Sequence, residues 1–146
     1  MRSLIVGLCL YVPTLCIAGE VWLTAPIASY HFSEREGKGK YEQFNPGLGL
    51  EYAFNERWRL GAGTYRSSIR TDASYLGAMY LPVTYKSLRF GLSAGVVSGY
   101  ETNLSPILAP TAVFEWKRFG FNILFIPPTA KTDGGGLGFV AKWKLE

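Results

Sequence analysis

The sequence is poor in charge, histidine and cysteine. Charged residues make up 18% of the 146, His31 is the single histidine, and the two cysteines, Cys9 and Cys16, lie near the start. A zinc site is usually built from several His and Cys ligands, so we expect no structural metal. The sequence also lacks a Walker loop, a G-x-S-x-G nucleophile elbow and a paired-carboxylate signature, and it implies no cofactor.

Long apolar runs are missing too, once the first 19 residues are passed. No later run approaches the 18 or so apolar residues of a membrane helix, so any membrane span there has to be a strand. The composition agrees, because 17 glycines, 9 tyrosines, 9 phenylalanines and 4 tryptophans favour pleated, turn-rich structure.

Residues 1–19 have the pattern of a secretory signal peptide. Arg2 supplies the positive start, an apolar stretch runs to Cys16, and the small residues Ala18 and Gly19 form a cleavage site. The apolar stretch is short for a helix of about 20 residues, which disfavours an uncleaved anchor. We therefore expect an exported chain with one domain over residues 20–146, which has no cysteine and hence no disulfide.

The net charge of +4 comes from basic residues that are scattered singly along the chain. Such a distribution gives no basic patch of the kind that binds nucleic acid, so we expect no nucleic-acid partner. Solvated turns explain the excess, and a surface facing anionic lipid head groups would also tolerate it. We expect a monomer.

Eight candidate strands follow the signal peptide, each ended by polar residues, Gly or Pro. Most are about as long as the nine to eleven residues that a tilted strand needs to cross a bilayer. The predicted ranges are 21–32, 47–54, 57–68, 73–85, 88–100, 107–116, 119–126 and 136–145. Short turns alternate with longer links, as in outer-membrane barrels. We predict an all-β fold, an eight-stranded antiparallel up-and-down transmembrane β-barrel.

Large apolar side chains alternate with small or polar ones in several strands. In the second strand, Leu48 and Leu50 fall on one side, and Gly49 and Glu51 on the other. We expect the apolar side to face lipid and the glycine side to line a narrow interior, which leaves no room for an open pore. A soluble sandwich would have a thin core with such glycines, and a soluble barrel that binds a hydrophobic ligand is a third interpretation.

His31, Ser67 and Ser68 are the candidate catalytic residues. Because neighbouring strands of such a barrel are antiparallel, the first and third strands run in the same direction and end at the same rim, which places His31 level with the two serines. A histidine within hydrogen-bond reach of a hydroxyl is the usual pairing of general base and nucleophile. Taken alone, however, a histidine at a rim is more often an interfacial polar residue than a catalyst.

Three segments resemble the PagP-type outer-membrane lipid A palmitoyltransferases, and the resemblance extends over residues 25–145. In the first segment, PIASYH at 26–31, a proline precedes the histidine by five positions. The second is YEQFNPGLGLEY at 41–52, continuing to Ser68 at the end of the third strand. The third begins at Leu88 and runs through FGLSAGVVSGY to FIPP at 125–128.

The resemblance implies a barrel in the cell outer membrane that binds acyl chains and transfers a palmitoyl chain from phospholipid to lipid A. These two lipids are the expected partners. His31 would act as base and Ser68 as its polar partner, while Ser67 stands where the family has an aspartate. Pro26 and Pro127 match two family prolines that are associated with lateral openings, which agrees with the inability of proline to donate to a strand ladder.

The missing aspartate leaves a second interpretation open. A neutral hydroxyl at position 67 cannot stabilise an imidazolium as a carboxylate does, although Asp72 lies nearby in the sequence. In this interpretation the chain is a non-catalytic outer-membrane barrel with a structural, adhesion or surface-exclusion role. Whether the chain is an enzyme, a lipid A acyltransferase, is therefore a question for experiment.

Overall fold

Eight antiparallel strands close into a barrel in chain order in the computed structural model, which describes residues 19–33, 39–100, 103–128 and 135–145. The strands are β1 (Glu20–His31), β2 (Gly47–Ala53), β3 (Trp58–Arg66), β4 (Asp72–Tyr85), β5 (Leu88–Ser98), β6 (Ser105–Trp116), β7 (Phe119–Ile126) and β8 (Gly136–Lys144). The predicted fold is confirmed. The predicted signal peptide lies outside these residues, apart from Gly19, and none of them forms a helix long and apolar enough to cross a membrane.

The two ends of the barrel differ in their connections. Tight turns at 54–57, 86–87 and 117–118 lie at one end together with residues 19 and 145, and we call this the short-turn end. Lys86 and Lys117 have φ angles of 53° and 55°, as two-residue hairpin turns that match the strand twist require. The strand ends that flank the longer connections 32–46, 67–71, 99–104 and 127–135 lie at the opposite end, which we call the long-loop end.

Successive side chains of a strand point alternately to the outside and the inside of the barrel, as predicted. Leu48 and Leu50 are 60% and 53% exposed on the outer surface, whereas Glu51 is 1% exposed inside. Cross-strand partners share a face, so the pairing of Trp22 with Glu51 also places Trp22 inside. The exterior is therefore apolar, whereas buried charged side chains such as Glu51 lie inside.

Inner-face glycines make room for one large side chain. Tyr75 of β4 faces Gly63 of β3, and its hydroxyl reaches Thr24 Oγ1 at 3.2 Å on the far side of β2. A Cβ on Gly63 would lie 2.8 Å from the Tyr75 hydroxyl, and a Cβ on Gly49 would also press against it. The tyrosine ring thus occupies the space that two missing side chains leave free.

Candidate functional site

An ionic network fills the short-turn half of the interior. Its members are Glu51, Arg59, Arg89, Glu115 and Lys142. Lys142 Nζ lies 2.8 Å from Glu51 Oε1 and 2.7 Å from Glu115 Oε1. Arg59 contacts the same two carboxylates, with its Nη1 2.8 Å from Glu51 Oε1 and its Nη2 3.0 Å from Glu115 Oε2. Buried charges persist only when they are paired in this way, and the network occupies the volume that an aqueous channel would need.

The long-loop half of the interior is lined differently. Ile107, Leu124, Ile126 and Val140 face inward, as their cross-strand partners show, and each is only half-buried. Tyr65 also faces this half, and its hydroxyl lies 2.8 Å from that of Tyr100. The long-loop half of the interior is therefore lined by apolar side chains on the side formed by β6, β7 and β8.

The barrel wall splits between β6 and β7 beside this apolar space. The ladder between the two strands runs from the Trp116–Phe119 pair up to the Thr111–Leu124 pair, where it stops within the described residues. Above that point β6 continues to pair with β5, and β7 with β8. Pro110 lies at the start of the split and cannot donate a ladder hydrogen bond, and Pro127 follows β7 directly. One of the two predicted proline positions therefore lies at a lateral gap.

Pro26 lies at a smaller irregularity in β1. The ladder of β1 with β8 shifts register between Pro26 and Ala28, and the ladder of β1 with β2 ends at Thr24. The connection before β2 then closes the wall, since Asn45 N donates to Ile27 O at 2.7 Å. The β1–β2 seam is therefore interrupted but bridged.

The bulge in β1 decides where His31 points. From Trp22 onward, strict alternation would place position 31 on the outer face, but the extra residue after Pro26 reverses the parity. His31 pairs with Gly136 of β8 on the inner face, and its ring stacks on that of Tyr41 at 4.0 Å. Its Nδ1 is buried with no hydrogen-bond partner among the described residues. An open recess of about 470 Å³ lies beside both rings at the long-loop end.

Ser67 lies after the end of β3, which stops at Arg66, two residues earlier than predicted. Its side chain is fully buried, and its Oγ lies 2.7 Å from Thr71 Oγ1 and accepts a hydrogen bond from Thr71 N at 3.1 Å. Both bonds close the turn at 67–71. Asp72, the nearby carboxylate, is exposed and pairs with Arg66 at 3.3 Å. Neither Ser67 nor Asp72 therefore supplies what the aspartate supplies in the family that the sequence resembles.

Ser68 is buried in the same turn instead of facing outward, as strict alternation would have placed it. Its hydroxyl bonds to Tyr100, and its carbonyl oxygen accepts from Glu42 N at 2.8 Å. Burial raises the pKa of the Tyr100 hydroxyl, which therefore stays protonated in neutral solution. The neutral Tyr100 hydroxyl connects Ser68 to Tyr65 of β3.

His31 and Ser68 lie at one rim but not in direct contact. The segment at 41–46 runs between β1 and the end of β3, since Gln43 O accepts from Ser29 N at 2.8 Å and Glu42 N bonds to Ser68. Two strand spacings amount to about 10 Å, which exceeds hydrogen-bond reach. Topology thus brings the predicted pair to one rim, with the 41–46 segment between them and no hydrogen bond that joins them directly among the described contacts.

The sequence did not predict the ionic network as a site. Alternation placed Glu51 on the inner face, but nothing local in the sequence indicates that strands β2 and β8 bring it into contact with Lys142. The usable signal was the charge itself, because a carboxylate or ammonium flanked by apolar residues in a barrel strand has to find an inner partner. No cluster of three or more metal-ligating residues occurs in the described part of the chain.

Comparison with known proteins supports the architecture alone. No family model and no curated protein matches the sequence. Among solved structures, the chain is similar to the solution NMR structure of the de novo designed protein TMB2.3, with a TM-score of 0.61 and 10% sequence identity. The match covers 88% of this chain and 94% of that one. The chain therefore shares the fold of an eight-stranded barrel with a protein whose sequence is almost unrelated.

Proposed function

We propose that this chain is an outer-membrane barrel that binds a lipid acyl chain in the long-loop half of its interior. Support for a membrane location comes from the outer face, where Leu48, Leu76 and Leu108 are each more than half exposed. An apolar surface that surrounds the barrel is what lipid tails cover in transmembrane barrels, and it would drive association in water.

Aromatic side chains strengthen the membrane assignment. Near the short-turn end, the rings of Trp58 and Tyr80 lie 4.6 Å apart and those of Phe119 and Trp143 4.2 Å apart on the outer surface. Phe32 and Phe125 form a further pair at 5.9 Å towards the long-loop end. Aromatic girdles at both ends of an apolar band are typical of barrels that span a bilayer.

The observation that carries the acyl-chain proposal is the split between β6 and β7. It opens the wall beside Ile107, Leu124 and Ile126, whose inward side chains are half-buried and apolar. A lipid tail that passes sideways through the split would exchange contacts with other lipid tails for contacts with these side chains, so its methylenes would stay out of water. The charged network below sets the depth that such a chain can reach.

The reaction that we propose is transfer of the chain to lipid A, which rests on the family resemblance and on the inward position of His31. A lipid A hydroxyl would give its proton to His31 while its oxygen attacks the acyl carbonyl of a phospholipid. The ester bond to the phospholipid then breaks, and the proton passes from His31 to the departing lysophospholipid oxygen. Ser68 supplies a polar hydroxyl at the same rim.

The test is to express the chain in a Gram-negative host without a lipid A palmitoyltransferase and to measure lipid A by mass spectrometry. The expected result is an added acyl mass that disappears in His31→Ala, with both proteins equally abundant and folded in the outer membrane. An unchanged lipid A, despite folded wild-type barrel in the outer membrane, would overturn the transfer reaction.

The second candidate is a non-catalytic barrel of the same architecture. It is favoured by the serines, since Ser67 closes its own turn and Ser68 is bonded to Tyr100. Extraction of lipids from the purified barrel distinguishes it from an enzyme: bound phospholipid together with unmodified lipid A would support a structural or lipid-binding role for the acyl-lined interior.

A further inference from the structure

We propose that the short-turn mouth of the barrel contains a binding site for a phosphate group, independent of any acyl transfer at the other end. A recess of about 220 Å³ opens there, above the ionic network. Four basic side chains and two carboxylates contribute to its lining: Lys86, Arg89, Lys117, Lys144, Glu20 and Glu115. The basic side chains outnumber the carboxylates, so the lining is positive overall. Within it, Lys144 forms an ion pair with Glu20 at 2.5 Å.

The network at the floor of the recess has the same sign. Three cations, Arg59, Arg89 and Lys142, share the two carboxylates Glu51 and Glu115. Each cation contacts a carboxylate, but the cluster as a whole carries a net charge of +1. A net positive charge in a largely buried cluster favours an anion bound beside it.

Buried donors in the recess point to the same ligand. Trp22 is 1% exposed, and its Nε1 has no hydrogen-bond acceptor in the part of the chain that the structure describes. Arg89 Nε is a second buried donor without an acceptor among the described residues, and both residues line the recess. Because buried N–H groups are almost always hydrogen-bonded, two unpaired donors on residues that line one positive recess favour an acceptor bound beside them.

A phosphate group fits these demands. It brings negative charge and several acceptor oxygens, and guanidinium and ammonium groups are its usual ligands in proteins. Since a water molecule takes up about 30 Å³, a recess of about 220 Å³ holds one phosphate group with several waters. The group has two possible sources, a soluble phosphate and the head group of a phospholipid in the adjoining leaflet.

The indole N–H of Trp22 provides a direct test. The folded barrel is labelled with ¹⁵N in maltoside micelles, which contain no phosphate, and Trp22→Phe identifies the resonance. Inorganic phosphate is then titrated against chloride at equal ionic strength. We expect a saturable shift of the Trp22 resonance with phosphate only, while the resonances of Trp58 and Trp143 stay in place.

Variants separate the site from a general effect of charge. Arg89→Lys keeps the charge but removes the Nε donor, and should weaken phosphate binding about tenfold, as expected for one charge-assisted hydrogen bond. Arg57→Gln removes a cation from the β2–β3 turn outside the recess and should leave the affinity unchanged. Equal weakening in both variants would overturn a specific site.

Phospholipid nanodiscs identify the source of the phosphate. If a head group occupies the recess, the Trp22 resonance is already shifted in nanodiscs and added phosphate has no effect. If the ligand is soluble, the resonance moves only when inorganic phosphate is added. An unshifted resonance in every condition, or an equal response to chloride, would mean that water alone satisfies the donors and would refute the proposal.

Discussion

Glu51 of β2 and Lys142 of β8 form an ion pair across the barrel interior, with 2.8 Å between Oε1 and Nζ, although β1 separates their strands in the wall. The exposed fractions of their side chains are 1% and 0%. The pair therefore joins two strands that are not neighbours in the wall, and it depends on closure of the barrel.

Removal of Glu51 should be strongly destabilising. Glu51→Ala leaves Lys142 and Arg59 with one carboxylate in place of two, and loss of one partner from a buried ion pair costs about 3–5 kcal/mol. Denaturant unfolding of the barrel in vesicles, followed by tryptophan fluorescence, measures the free energy of unfolding. Glu20→Ala, which breaks the exposed pair with Lys144, should cost less than about 1 kcal/mol. Similar losses in the two variants would contradict this account of the interior.

Two inner-face glycines should respond differently to alanine. A Cβ at Gly49 would press on the Tyr75 hydroxyl and lie 2.8 Å from Thr24 Oγ1, whereas the nearest atom to a Cβ at Gly61 is 3.8 Å away. Gly49→Ala should therefore lower the free energy of unfolding by about 1–3 kcal/mol, as overpacking does. Gly61→Ala should be tolerated. The same unfolding measurement compares them, and equal tolerance would contradict the close packing around Gly49.

Substitution of Ser67 should affect stability, whereas substitution of Ser68 should affect acylation. Ser67→Ala removes the acceptor of Thr71 N in a buried turn and should cost about 1–3 kcal/mol in unfolding free energy. Lipid A acylation per folded molecule should be little changed. Ser68→Ala should instead reduce acylation, because its hydroxyl lies at the rim that His31 faces. Loss of acylation in Ser67→Ala at full stability would move the polar role from Ser68 to Ser67.

A disulfide across the β6–β7 split should block access of the acyl chain. Pro110 and Phe125 would be the next pair if the ladder continued above Thr111 and Leu124. The double variant Pro110→Cys, Phe125→Cys, once oxidised, should lose lipid A acylation and regain it on reduction. A matched pair at Ala112 and Ile123, which are already partners, should have no effect. Full acylation by the oxidised 110–125 protein would exclude this route.

Strand positions could be predicted because the period of two persists through most of the chain. β7 has the predicted bounds, and the other strands differ by one or two residues at their ends. The orientation of His31 could not be predicted, because one extra residue after Pro26 reverses the parity of everything that follows in β1. A bulge leaves no mark in the alternation of a strand with small residues such as Ala25 and Ala28.

The contacts inside the barrel were harder to predict from the sequence than the strand positions. Alternation placed Glu51 inside, yet its contact with Lys142 depends on the register of three strands and on closure. The surroundings of Ser68 depended on the end of β3 at Arg66, since a turn residue does not follow strand parity. Both features are set by long-range geometry, which a single sequence does not encode locally.

The most direct test of the central claim is to detect acyl-chain contacts inside the barrel by nuclear Overhauser effects. Leu124 faces inward, whereas its neighbour Ile123 faces outward and is 39% exposed. In lipid nanodiscs with protonated acyl chains and a methyl-labelled barrel, Ile123 reports lipid in every case. The account predicts acyl-chain cross-peaks at the methyl groups of Leu124 and Ile126 as well. Cross-peaks at Ile123 alone would mean that no chain enters the barrel and would contradict the proposal.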